Sequence, residues 1–176
     1  MKKSFLILIC MMALLLAASS AWADAADPVL IGTYGGKNGW NAYHFKDRGG
    51  KVCFMSRAPE KQEGKFKKRG PVLFFVTHWS GKDANVVSIS TGYDFKPKSP
   101  VTLAIKGKKF PLLPQGDKAW TKDQAEDNAV IKELTAGSSM TVRGTSSHGT
   151  NTVDTYSLKG LTEALRAVTK ECETDK

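Results

Sequence analysis

The chain has 176 residues, of which 41% are hydrophobic and 24% are charged, and its formal net charge at pH 7 is +9. After the first 23 residues the longest apolar run is only Val72–Val76, whereas a membrane-spanning helix needs about 20 apolar residues. The composition therefore excludes a transmembrane segment beyond the N-terminus and predicts one domain of ordinary size.

The N-terminus predicts a secretory signal peptide over residues 1–23. Lys2 and Lys3 precede an apolar run of 14 residues, Phe5–Ala18, and the small residues Ala21 and Ala23 occupy the two positions that signal peptidase recognises for cleavage after Ala23. The run is too short for a membrane anchor. A lipoprotein signal is excluded because Cys10 lies early, inside the apolar run.

The mature chain, residues 24–176, keeps 24 basic and 17 acidic residues, a net charge of +7. Five of the cations fall in one short stretch: Lys61, Lys65, Lys67, Lys68 and Arg69. Such a surface favours an anionic partner, for example phosphorylated glycolipid or acidic polysaccharide, and outside the cytoplasm nucleic acid is excluded as the partner. The alternative is that lysine-rich loops only keep the domain soluble.

Two cysteines remain after signal cleavage, Cys53 and Cys172, and in an oxidising compartment they are expected to form a disulfide. The bond would close a loop of 119 residues. In the chain-entropy model it stabilises the fold by on the order of 4 kcal/mol. A redox-active thiol is the alternative, but there is no Cys-x-x-Cys spacing.

In chain order, residues 24–39 are glycine-rich and predict a flexible lead-in, and residues 58–70 predict a charged loop. The segments between and after them predict short strands, because their apolar residues alternate or occupy both faces. We predict strands at residues 40–45, 51–57, 71–79, 85–91, 101–105, 109–112, 139–146 and 151–158, with a tight turn at Lys106-Gly107.

Two segments change to the helical period. Thr121-x-x-Gln124 resembles a capping box and predicts a short helix that ends near Gly137. From about Gly160 to Glu171, a stripe of apolar residues at helical spacing ends at Cys172. That stripe places Cys172 toward the sheet, as a bond to Cys53 requires. The predicted fold is mainly β, an antiparallel sandwich or flattened barrel with a short helix and a C-terminal helix packed on the sheet.

No metal site is predicted, because the three histidines lack ligand spacing. One stretch holds the residue types of a serine hydrolase: Ser146, Ser147 and His148, with Asp154 downstream. The spacing argues against catalysis, since no Gly-x-Ser-x-Gly elbow is present and adjacent side chains on extended backbone point apart. A Gly/Ser/Thr-rich hairpin tip accounts for the same residues.

The chain resembles the invasion-associated locus B family of bacterial secreted proteins. The stretches that carry the resemblance, in order, are Ile31-Gly32-Thr33, Lys51-Val52-Cys53-Phe54-Met55-Ser56, Lys68-Arg69-Gly70, Val76-Thr77-His78, Gln115-Gly116-Asp117-Lys118-Ala119-Trp120, Thr141-Val142-Arg143-Gly144-Thr145-Ser146-Ser147 and Asp154-Thr155-Tyr156-Ser157-Leu158-Lys159-Gly160. Two positions depart from it: His148 stands where arginine is expected, and Gly39-Trp40 where Gly-Asp-Trp is expected. The resemblance implies a periplasmic or envelope-associated protein of a Gram-negative bacterium, linked by name to host-cell invasion, with no catalytic residues.

We therefore predict one β-rich domain over residues 40–176 that is not an enzyme, needs no cofactor and binds an anionic envelope component or an envelope or host protein. The expected contact is Lys65, Lys67, Lys68 and Arg69. The alternatives are a hydrolase that uses Ser146 or Ser147 with His148 and Asp154, and a structural or chaperone-like envelope protein.

Overall fold

The computed structural model describes residues 27–66, 68–82 and 84–173, so the predicted signal peptide lies outside the described residues. Within them the chain forms eleven strands and two helices. The elements are β1 (Val29–Tyr34), β2 (Trp40–Asp47), β3 (Gly50–Arg57), β4 (Lys61–Glu63), β5 (Leu73–Trp79), β6 (Val86–Ser90), β7 (Val101–Ile105), β8 (Lys108–Gln115), β9 (Lys118–Trp120), α1 (Gln124–Ala136), β10 (Ser139–Thr145), β11 (Asn151–Ser157) and α2 (Leu161–Glu173).

All pairings are antiparallel, in the order β1-β2-β3-β5-β6-β9-β8-β7-β10-β11-β4. Strand β8 joins two half-sheets, because residues 108–112 pair with β7 and residues 113–115 pair with β9. Lys106 and Gly107 both have positive φ, as a two-residue hairpin turn between β7 and β8 requires. The predicted mainly β fold with a sandwich-like or flattened-barrel sheet is confirmed.

Alternation along the strands builds the core. Phe74 and Val76 of β5 are fully buried, as are Leu103 and Ile105 of β7, while the residues between them are partly exposed. Inward residues of the two half-sheets and of both helices form one hydrophobic cluster. The folded domain therefore rests on a single core.

The C-terminal helix α2 closes one side of this core. Leu161, Ala164, Val168 and Cys172 are buried, and Leu165 packs against the cluster, as the apolar stripe predicts. Cys172 is bonded to Cys53 on β3, with the two Cα atoms 5.8 Å apart, inside the usual range for disulfides. The predicted disulfide is thus present, and it fastens the last helix to the sheet.

Three strands lie outside the predicted strand segments. Val29–Tyr34 of the expected lead-in forms β1, which pairs with β2. Lys61–Glu63 of the expected charged loop forms β4 on β11, and Lys118–Trp120 forms β9. Both β1 and β4 are edge strands. The side chains of β4 are exposed and backbone pairing with β11 holds it, whereas Ile31 and Tyr34 of β1 also pack against the core cluster.

The N-cap of helix α1 lies two residues after Thr121, the first residue of the predicted capping box. Its N-cap is Asp123, whose carboxylate accepts a hydrogen bond of 2.9 Å from the Glu126 N–H. Thr121 instead donates to the buried carboxylate of Asp127, which also accepts from the Val87 N–H at 2.8 Å. Because burial of Asp127 requires these partners, Thr121 serves the tertiary contact and not the cap.

Neither helix of the described residues is long and apolar enough to cross a membrane.

Candidate functional site

A cleft of about 420 Å³ opens between the loop before β5 and the tip of the β10–β11 hairpin. Two features that are far apart in sequence line it together: the basic run around residue 68 and the hydroxyl-rich tip around residue 148. We call it the basic cleft, and its lining residues are Lys65, Phe66, Lys68, Arg69, Tyr93, Ser146, His148, Thr150 and Thr152.

Arg69 anchors the loop wall of the basic cleft. Its guanidinium donates to both carboxylate oxygens of Asp154 on β11, at 2.7 and 2.5 Å, and its Nε donates to the Thr91 carbonyl at 2.6 Å. The side chains of Arg69 and Asp154 are only 4% and 0% exposed. This two-pronged, desolvated pair fixes the loop to the centre of the hairpin.

Two aromatic rings enclose the same guanidinium. The Arg69 Cζ lies 5.3 Å from the Phe66 ring centroid and 4.9 Å from the Tyr93 ring centroid, within cation–π range. The Tyr93 hydroxyl shares a 2.6 Å hydrogen bond with Thr152, and burial raises the pKa of Tyr93, so the phenol is neutral at pH 7. The floor of the cleft is therefore aromatic and uncharged.

Gly144 on β10 is required for this floor. A Cβ at that position would lie 2.8 Å from the Tyr93 hydroxyl and 2.7 Å from a ring carbon of Phe95. A side chain there would push Tyr93 out of its place below Arg69. The glycine of the Arg-Gly-Thr motif therefore has a packing role.

The hairpin tip is held by its own backbone. The Ser146 N–H donates to the Thr150 carbonyl at 2.9 Å, and the Ser146 Oγ accepts from the Thr150 N–H at 3.1 Å. Gly149 takes the positive φ that this tight turn needs. The Thr150 hydroxyl donates to the Lys65 carbonyl at 3.4 Å, which ties the tip to the opposite wall.

The tip does not form a serine hydrolase arrangement among the described residues. Ser146 is buried and bonded to Thr150, while the Ser147 N–H donates to the Asp94 carbonyl at 2.7 Å. Both oxygens of Asp154 are engaged by Arg69, so Asp154 does not orient His148. The four residues of the hydrolase alternative thus lack the hydrogen-bonded chain that activates a nucleophile.

The charge that remains available in the cleft is positive. Lys65 and Lys68 are exposed cations of the lining, and the buried carboxylate of Asp154 is neutralised by Arg69. Among the four residues of the predicted basic contact, Arg69 is therefore committed to an internal pair, Lys65 and Lys68 face the opening, and Lys67 lies outside the described residues. In the described part of the chain, no group of three His, Cys, Asp or Glu side chains is placed to hold a metal ion.

Sequence reasoning named the cations and the tip separately and missed the aromatic floor. Phe66 lies inside the basic run, and Tyr93 follows Gly92 in a segment for which the sequence predicts no helix or strand. The position of Phe66 among clustered lysines was a signal in the sequence for an aromatic residue at the site. No such signal exists for Tyr93, because its approach to Arg69 depends on the packing of β6 and β10.

Comparison with known proteins gives one match. The family model described as Invasion associated locus B (IalB) protein matches residues 40–169, which is most of the chain. Neither the curated proteins nor the solved structures gave a match.

Proposed function

Because this chain belongs to the invasion-associated locus B family, we propose that it is a secreted, non-enzymatic envelope protein that binds an anionic ligand in the basic cleft. The family is not a known enzyme family. The predicted signal peptide and the family resemblance support a periplasmic or envelope location in a Gram-negative bacterium. In a bacterium that infects a host, the protein would also take part in contact with host cells.

One observation carries the proposal: the described residues that line this aromatic-floored cleft include two exposed lysines and no carboxylate. The exposed Lys65 and Lys68 line the opening, and the nearby buried carboxylate of Asp154 is paired with Arg69. A negatively charged group at the rim gains from these cations, and a ring or acyl portion gains from contact with Phe66 and Tyr93.

The size of the cleft limits the ligand. Small-molecule sites in proteins are typically about 300–1,000 Å³, and this cleft of about 420 Å³ is at the lower end. It suits one or two sugar rings with a carboxylate or phosphate, either free or as the end of a longer envelope glycan or glycolipid.

The test is direct binding to the oxidised chain of residues 24–176. We would titrate it with an oligosaccharide of glucuronic acid, with a sugar phosphate and with a neutral oligosaccharide, each at low and high salt. The test variant is Lys65→Glu with Lys68→Glu. The matched control is Lys106→Glu with Lys109→Glu, which changes the net charge equally at a separate open trough.

We expect saturable binding of an acidic probe that weakens with salt, and at least about a tenfold loss in the cleft variant only. Equal loss in both variants would indicate nonspecific attraction to the basic surface and overturn the proposal. Co-purification with several unrelated envelope proteins, without saturable binding of any acidic probe, would favour the structural or chaperone-like alternative. N-terminal sequencing of the exported protein tests the predicted cleavage before Asp24.

A further inference from the structure

A second surface, separate from the basic cleft, lies on the outer face of the first half-sheet. Direct cross-strand neighbours point to the same side of a sheet. Leu30, Tyr43, Phe54 and Thr77 are such neighbours across β1, β2, β3 and β5, and Phe45, Val52 and Trp79 form the next row. We call this the aromatic face, and its large apolar members are Leu30, Tyr43, Phe45, Phe54, Phe75 and Trp79.

The rings of the aromatic face pack on one another. The centroids of Tyr43 and Phe54 are 5.1 Å apart in a stacked arrangement, and Phe45 and Phe75 each lie 6.2 Å from Phe54. None of these rings belongs to the core cluster. On the same strands, the alternate residues such as Cys53 and Met55 belong to that cluster instead. The apolar buried residues of both helices belong to that central cluster as well.

The face is most exposed at Leu30 on the edge strand β1 and at Trp79 at the end of β5. Leu30 is 54% exposed and Trp79 is 37% exposed, and Phe45 is partly exposed in the row of Trp79. Partly exposed rings packed between two exposed apolar residues on one face indicate an interaction site.

Exposed cations lie at the end of the sheet that carries Trp79. Arg48 lies in the β2–β3 turn and the Lys82 ammonium lies beside Gly49 of that turn, while Lys46 follows Phe45 on β2 and by alternation points to the opposite side of the sheet. None of the three cations forms a salt bridge within the described residues. The one described carboxylate of the turn, Asp47, accepts from the Arg48 N–H at 2.6 Å.

We infer that the aromatic face docks onto an anionic lipid bilayer, with this end of the sheet against the membrane. Tryptophan and other amphipathic or apolar side chains favour the boundary between headgroups and acyl chains, and adjacent lysine and arginine side chains favour anionic headgroups. A second copy of the chain is a less suitable occupant, because two mature chains of net charge +7 repel each other. The inference is independent of ligand binding in the basic cleft.

The structure supplies a closely matched pair of variants. Val29 and Leu30 are adjacent on β1 and equally exposed, at 55% and 54%, but successive side chains of a strand point to opposite faces. Leu30→Glu therefore places a charge on the aromatic face, whereas Val29→Glu places the same charge on the same strand away from it.

The experiment is co-sedimentation of the oxidised chain of residues 24–176 with vesicles. This chain contains every described element and lacks the apolar run Phe5–Ala18, which would bind vesicles by itself. Vesicles of phosphatidylcholine alone are compared with vesicles of phosphatidylcholine mixed with phosphatidylglycerol. Tryptophan emission is recorded in parallel, since insertion of Trp79 shifts it to shorter wavelength.

We expect binding to the mixed vesicles, a loss of about tenfold or more for Leu30→Glu and for Trp79→Glu, and unchanged binding for Val29→Glu. Arg48→Glu with Lys82→Glu should remove the preference for the anionic vesicles. Thermal unfolding confirms that each variant is folded. Absence of vesicle binding, equal loss in Leu30→Glu and Val29→Glu, or concentration-dependent dimerisation that Leu30→Glu abolishes would overturn the inference.

Discussion

Arg69 and Asp154 are 85 residues apart in sequence and form a buried, two-pronged ion pair at 2.7 and 2.5 Å. The pair joins the basic loop to the hairpin, supports the aromatic floor and cancels the buried negative charge of Asp154. Stability of the fold and polarity of the candidate site therefore depend on the same two side chains.

Breaking this pair from one side should be costly. Arg69→Met leaves the Asp154 carboxylate buried without its partner, and we expect a loss of about 3–5 kcal/mol in the free energy of unfolding. Replacing both residues, as in Arg69→Met with Asp154→Leu, should cost less than either single change, because no uncompensated charge remains. Urea unfolding of the three variants measures this, and equal losses for single and double variants would contradict it.

Removing the disulfide should destabilise the whole domain. The bond between Cys53 and Cys172 closes 119 residues, so Cys53→Ser with Cys172→Ser should cost on the order of 4 kcal/mol. Chemical reduction of the unaltered chain serves as the control and should give a similar loss. Denaturant unfolding with and without reductant tests the prediction, and an unchanged midpoint would refute it.

Stability should fall below neutral pH through His78. This side chain is 5% exposed, and burial lowers the pKa of its imidazole, while the nearby charge of Glu173 opposes the shift. The unfolded chain then binds a proton more readily than the folded chain, so the free energy of unfolding decreases as pH falls through the unfolded-state pKa of about 6.5 toward the lowered folded-state pKa. His78→Phe should flatten the dependence of unfolding free energy on pH in this window, and an identical slope in both proteins would exclude His78 as its source.

Tyr156 offers a stabilising substitution. Its side chain is fully buried, and its hydroxyl has no hydrogen-bond partner within the described residues. Burial, and to a smaller extent the charge of Asp154, raises the pKa of Tyr156, so the hydroxyl stays protonated. Because an unpaired buried hydroxyl costs about 1–3 kcal/mol, Tyr156→Phe should leave stability unchanged or increase it. A clear decrease in the unfolding midpoint would mean that the hydroxyl has a partner such as an ordered water.

The hydrolase alternative has a simple chemical test. An alkylphosphonate probe labels an activated serine, and we expect no adduct on Ser146 or Ser147, because Asp154 is held by Arg69 and does not support His148. Mass spectrometry of the treated protein, with a known serine hydrolase as the positive control, gives the answer. An adduct that disappears in His148→Gln would restore the enzyme hypothesis.

The amino-acid sequence by itself determined the features that depend on local pattern. Alternating residues predicted most of the strands, helical spacing predicted α2, and the apolar stripe ending at Cys172 predicted the bond to Cys53. Each follows from the periods of strand and helix, which a few neighbouring residues are enough to reveal. The edge strand β4 carries no such pattern, because its three residues are exposed and backbone pairing with β11 holds them.

Only the tertiary structure decided which residues meet. The run containing Lys65 and Arg69 and the tip containing His148 are far apart in sequence, and their meeting in one cleft depends on how β11, β10 and the loop before β5 pack. Packing likewise turned Arg69 from an expected contact into an internal anchor, and it placed Leu30 and Trp79 on one outer face. The physical reason is that burial and pairing are set by neighbours across the sheet, whose identity no local pattern contains.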